Sequence, residues 1–196
     1  MPILPTSYFG SIAYFKELAK YPLIQIEAHE HFPKQTYRNR CDIVGGDGIL
    51  SLSIPTKKPN GSKTATENVI LPDEENWRIR HWRAITSAYQ SSAFFDYYSI
   101  EVEELLFNET NNLLKFNTAI TQRVIDWLYL ETKIELTTEF QPIEANDLRV
   151  SLVQKDEFQE KMKAPYIQVF PGDENFQESL SILDVIFCEM ERLSWK

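Results

Sequence analysis

Between Glu27 and Cys41 the chain reads E-A-H-E-H-F-P-K-Q-T-Y-R-N-R-C, which holds two of its three histidines, one of its two cysteines, and Lys34, Arg38 and Arg40. Three chemistries fit these residue types. In a strand, alternate side chains share a face, so Glu27, His29 and His31 would offer two imidazoles and a carboxylate to zinc or iron, as in a metal-dependent enzyme. The H-x-H spacing is common by chance, and no metal ligand is assigned on it. Cys41 is a nucleophile if His29 or His81 serves as its base, because the thiolate is the reactive form and a nearby imidazole or cation lowers the thiol pKa. The competing reading makes Cys41 a small buried residue at the start of a strand. The third chemistry is anion binding. If 34–41 is extended, Lys34, Thr36, Arg38 and Arg40 form a ladder of cations on one face, and arginines clamp phosphate or carboxylate through paired hydrogen bonds. Against it stands a solvated edge strand whose charges block aggregation.

A second cluster follows. Trp77 and His81 are one helical turn apart, and Ala84 and Ala88 leave room beside them, so H-W-R-A-I-T-S-A-Y could line a pocket. A structural histidine packed on a tryptophan is the more frequent arrangement. Cys188 falls in an apolar stretch and reads as core. No P-loop, G-x-G-x-x-G or G-x-S-x-G pattern occurs.

The charge balance limits the partners. Net charge is −9, with 11 Lys/Arg against 10 Asp/Glu in residues 1–100 and 9 against 19 in residues 101–196. So acidic a chain is a poor non-specific binder of nucleic acid or anionic membrane. Residues 34–83, with nine Lys/Arg against six Asp/Glu, leave a locally basic face for one small anion. No apolar run is long enough for a membrane helix, the first residues lack a signal-peptide pattern, and the two cysteines are far apart. The expectation is a single domain over 1–196, cytoplasmic, with no membrane insertion.

Several elements must position these residues. The opening prolines favour an extended start, and Ile12, Phe15, Leu18 and Ala19 mark a helix over 11–20. Alternation at Ile24, Ile26 and Ala28 predicts a strand that turns Gln25, Glu27 and His29 outward. C-D-I-V-G-G-D-G-I-L-S-L-S-I-P predicts a β-hairpin, 57–67 a polar loop, and 68–71 a short strand. Helices are predicted over 75–90, 96–107 and 111–131, the last with Leu113, Phe116, Ile120, Val124, Trp127 and Leu128 as its buried stripe. Strands are predicted near 133–140, 148–153 and 166–170, and the apolar S-L-S-I-L-D-V-I-F-C-E-M as a deeply packed helix. The class is α+β: a mixed or antiparallel sheet with an N-terminal hairpin region, a central helical bundle and a C-terminal buried helix.

The order of motifs, from Y-F-G-S-I-A-Y-F through the histidine stretch, L-S-I-P, N-W-R-I-R-H-W-R-A-I-T-S-A-Y and F-F-D-Y-Y to Y-I-Q-V-F and L-S-I-L-D-V-I-F, resembles the WbqC-like family in its Bacteroidetes-type branch. The resemblance implies a bacterial protein of a family met near genes for O-antigen and other surface-polysaccharide sugars. It also implies either a small transferase of sugar or acyl groups or a non-catalytic ligand-binding or scaffold protein. The matching positions are His29, Glu30, Lys34, Gln35, Tyr37, Arg38, Asn39, Arg40, Trp77, His81, Trp82 and Tyr89, with Cys41 proper to this branch. The candidate set is therefore His29, His81 and Cys41 as catalytic residues. Lys34, Gln35, Tyr37, Arg38, Asn39, Arg40, Trp77 and Tyr89 would hold a small anionic or nucleotide-linked ligand, and no cofactor is specified. His31 stands where another polar residue, often Asn, is expected, and Ala93 where a proline precedes F-F. The deciding geometry is whether His29 and His81 converge on a pocket that also receives Arg38 or Arg40.

Overall fold

A computed structural model describes residues 1–33, 35–72, 76–144, 147–152, 168–169 and 180–189. It is α+β. A parallel three-stranded sheet has β2 (Leu23–Ile26) between β1 (Ile3–Leu4) and β5 (Lys133–Leu136), with Ile24 opposite Ile134. A separate antiparallel hairpin pairs β3 (Arg40–Gly45) with β4 (Gly48–Ser53). Its turn closes between Gly45 and Gly48, and Gly48 takes φ 107°, which a side chain would resist.

Helix α1 (Ile12–Leu18) starts where the Ser11 hydroxyl accepts the Tyr14 N–H at 3.2 Å. Helices α2 (Trp77–Tyr89) and α3 (Phe95–Leu106) precede α4 (Leu113–Trp127), which is capped by Asn112. The six residues expected in the stripe around α4 are all buried. They meet a core in which Tyr8, Phe9, Phe15, Trp77 and Phe116 have essentially no exposure. Among the described residues, a last helix, α6 (Ile182–Cys188), has every side chain buried.

Some expectations change. Where a strand is expected near 148–153, the described part is helical: Leu148–Ser151 forms a helical turn, α5, because the Asp147 side chain caps it by accepting the Arg149 N–H at 2.8 Å. The predicted strand at 166–170 falls largely outside the described residues. Residues 68–71 give no regular strand, only single bridges from Ile70 to Lys57 and Asn112. The polar loop is firmly tied down, since Thr64 and Thr66 are buried and their backbones bond those of Phe32 and Glu30 at 2.9 Å each. Glu27, expected to face outward, is fully buried because Arg149 and Gln141 close over it.

Candidate functional site

Beyond the C-terminal end of β2 lies a cavity of about 680 Å3 whose described lining includes His29, Glu30, Thr36, Arg38, Phe140, Ile143, Arg149 and Val150. The polar side is built from ion pairs. Arg38 Nε and Nη2 both donate to Glu30 Oε1 at 2.7 Å. Arg149 donates through Nη1 to Glu27 Oε2 at 3.1 Å and through Nη2 to Asp147 Oδ2 at 2.5 Å, and its fork also binds the carbonyls of Gln141 and Pro142. Burial draws the Arg38 pKa down, with Glu30 opposing and the charge of Arg149 adding to the fall. The Arg149 pKa is raised, chiefly by its bonds to Asp147. Each pair satisfies charges that would be costly if left alone in the interior.

Two polar atoms in this wall have no partner among the described residues: Arg38 Nη1 and Thr36 Oγ1, both closed to water. A buried polar group left unmatched costs about 1–3 kcal/mol, so each is an atom that a bound group could satisfy.

Among the described residues the expected cation ladder does not form. Residues 35–39 turn instead of extending: Gln35 has φ 58° and the Asn39 N–H bonds back to the Thr36 carbonyl. Arg38 is thereby sent inward, whereas Arg40 stays at the surface on the Ser53 hydroxyl. Gln35 is exposed, and Lys34 lies outside the described residues. Tyr37 donates its hydroxyl to Asp42, and Asn39 donates to the Ile54 carbonyl at 2.7 Å, so both tie the turn to the hairpin.

His29 reaches the cavity but both ring nitrogens are engaged, Nδ1 with Glu67 Oε1 at 3.2 Å and Nε2 with the Thr137 carbonyl at 3.0 Å. His31 is exposed on the same segment. Among the described residues no three His, Cys, Asp or Glu side chains gather as a metal site. His81 is not among the residues lining the cavity. It is buried, its Nδ1 bonds the Tyr8 hydroxyl at 2.9 Å, and Trp77 packs edge-on at 5.3 Å. Burial pushes its imidazole down to about 4, against the opposing bond to the Ser53 backbone. Trp77 donates to the Pro72 carbonyl, and the Tyr89 hydroxyl sits against Asp184 and the Val44 backbone. Cys41 is buried next to Ser181, and burial raises its thiol pKa well above the usual value, the opposite of an activated nucleophile. Of the candidate set, the structure thus brings together His29 and Arg38, joined by Glu30.

The sequence reading missed Arg149 and the apolar residues of 140–150. The available signal was Asp147, a capping residue directly before L-R-V-S-L.

A model of the WbqC-like protein family matches residues 6–156. The chain belongs to the WbqC-like protein family. The matched span of this WbqC-like chain takes in every described residue of the cavity wall, from His29 to Val150. A Mycobacterium tuberculosis relative, "Uncharacterized protein Rv1507c", is 22% identical to the WbqC-like chain over 173 residues, which is 87% of this chain and 72% of that protein. No solved structure matches.

Proposed function

We propose that the protein is a small transferase of sugar or acyl groups in bacterial surface-polysaccharide synthesis, and that it holds the oxygen-bearing end of its donor or acceptor at Arg38 and Thr36. The observation that carries this reading is the pair of unmatched polar atoms on residues lining one cavity large enough for a small ligand. The assignment to surface polysaccharide rests on the family resemblance. A second reading, ligand binding without catalysis, draws support from His29: a general base needs a free nitrogen within reach of the substrate, and both of its nitrogens are held.

A thermal-shift screen against nucleotide sugars, acyl thioesters and divalent metals tests the site. A ligand present at about 100 times its Kd stabilises by about 2.7 kcal/mol, which raises Tm by roughly 5–10 °C in a chain of this size. The expected result is such a shift from a sugar or acyl donor, reduced in a Thr36→Val variant. Silence from both classes would overturn the proposal. Release of the donor's leaving group, followed by mass spectrometry, separates transferase from binder.

A further inference from the structure

We infer that the cavity takes an acyl group, its carbonyl oxygen received by Arg38 and Thr36 and its hydrocarbon part by the apolar wall, and that a diphosphate is excluded. This deepens the ligand site proposed above and rests on it. The donors come first. Arg38 commits Nε and Nη2 to Glu30, so among the described residues Nη1 and the Thr36 hydroxyl remain to be matched. Nη1 carries two N–H groups, so with the hydroxyl three donors are at hand, enough for the two lone pairs of one carbonyl oxygen and too few for the many lone pairs of a diphosphate. Neither atom is open to water, so binding requires the wall to open onto them.

The charge around the site points the same way. Among the described side chains, the buried ion pairs set the carboxylates of Glu27, Glu30 and Asp147 against the guanidiniums of Arg38 and Arg149, three negative groups to two positive. At the rim, His29 is hydrogen-bonded to Glu67, and His31 is the other imidazole that lines the cavity. A diphosphate would add negative charge to a group already short of cations, in a setting where screening is weak. An amide, ester or thioester carbonyl adds none.

The third observation is apolar. Phe140, Ile143 and Val150 are 53%, 59% and 41% exposed, yet all three border the cavity. Three large apolar side chains left to water around one opening provide the surface that a hydrocarbon chain would cover.

Isothermal titration of the full chain with N-butanoyl-, N-hexanoyl- and N-octanoylethanolamine, beside UDP-glucose and pyrophosphate, tests the inference. Each buried CH2 should tighten binding about fourfold over the first few carbons. Thr36→Val should weaken every acyl probe by a similar factor, about 5–10-fold. Val150→Asp, at the exposed rim, should flatten the dependence on chain length, with circular dichroism checking its fold. Tighter binding of UDP-glucose or pyrophosphate than of every acyl probe, lost in Thr36→Val, would overturn the acyl assignment and leave the ligand site standing. Acyl binding indifferent to chain length would overturn the role of the apolar wall. If no probe binds, both the inference and the site fall.

Discussion

Burial of the His81 ring between Tyr8 and Trp77 gives stability a pH dependence that can be measured. Its pKa is about 4 in the folded chain and near 6.5 once exposed, so the unfolded state binds the proton more readily. The stabilising contribution is complete above pH 6.5 and is lost as pH falls from there towards 4. The loss amounts to about 3 kcal/mol. In His81→Gln the proton-binding site is gone, so the unfolding free energy of the native chain relative to the variant should shrink by about that amount between pH 7 and pH 4. A difference that stays constant would contradict the neutral, buried imidazole. At this scale H-W-R-A-I-T-S-A-Y reads either as a pocket wall or as a structural histidine on a tryptophan, and the packing of His81 against Tyr8 and Trp77 fits the second. The Arg38 pairing was hidden because alternation assumes an extended backbone, whereas Gln35 at φ 58° breaks the period.

At the scale of elements, α4 holds the turn that aims Arg38. Asn117, fully buried on that helix, donates through Nδ2 to the Arg38 carbonyl at 2.7 Å and to the Thr6 hydroxyl at 3.1 Å. Asn117→Ala should cost about 1–3 kcal/mol, seen as a lower urea midpoint with an unchanged slope, and should also weaken the acyl probes. A normal midpoint would mean that the turn is set by the hairpin alone. The long helices were legible because an apolar stripe of period 3.6 declares both its type and its buried face, as Leu113 to Leu128 does. The short α5 was not. L-R-V-S-L satisfies a period of two as well as one helical turn, and four residues are too few for the periods to separate. The outward Glu27 failed for a related reason: a strand pattern gives sidedness but cannot foresee an arginine 122 residues later closing over the solvent side.

Across the whole molecule, the family match ends at residue 156 while the core does not. In α6, Phe187 packs on Tyr89 and Phe95 at 5.2 Å each, and the backbone at Leu180–Ile182 bonds to Gly10, Ile12 and Asp42. Burial of Ile182, Leu183, Val185, Ile186 and Phe187 contributes about 10 kcal/mol, comparable to the entire stability of an ordinary domain. A chain truncated to 1–156 should therefore lose near-UV circular dichroism and bind a hydrophobic dye, and a cooperative melt from it would refute this role for α6. The all-round apolar pattern of that segment made its depth legible, though not its partners. The pairing of Glu27 with Arg149 also bears on how the protein is made. On the ribosome, Glu27 emerges 122 residues before the guanidinium that neutralises it, and β2 precedes its partner β5 by more than a hundred residues. Contacts so distant along the chain form late and slowly. The nascent chain accordingly carries an unneutralised carboxylate until most of its length has been synthesised, and the cavity is among the last parts of the protein to be assembled.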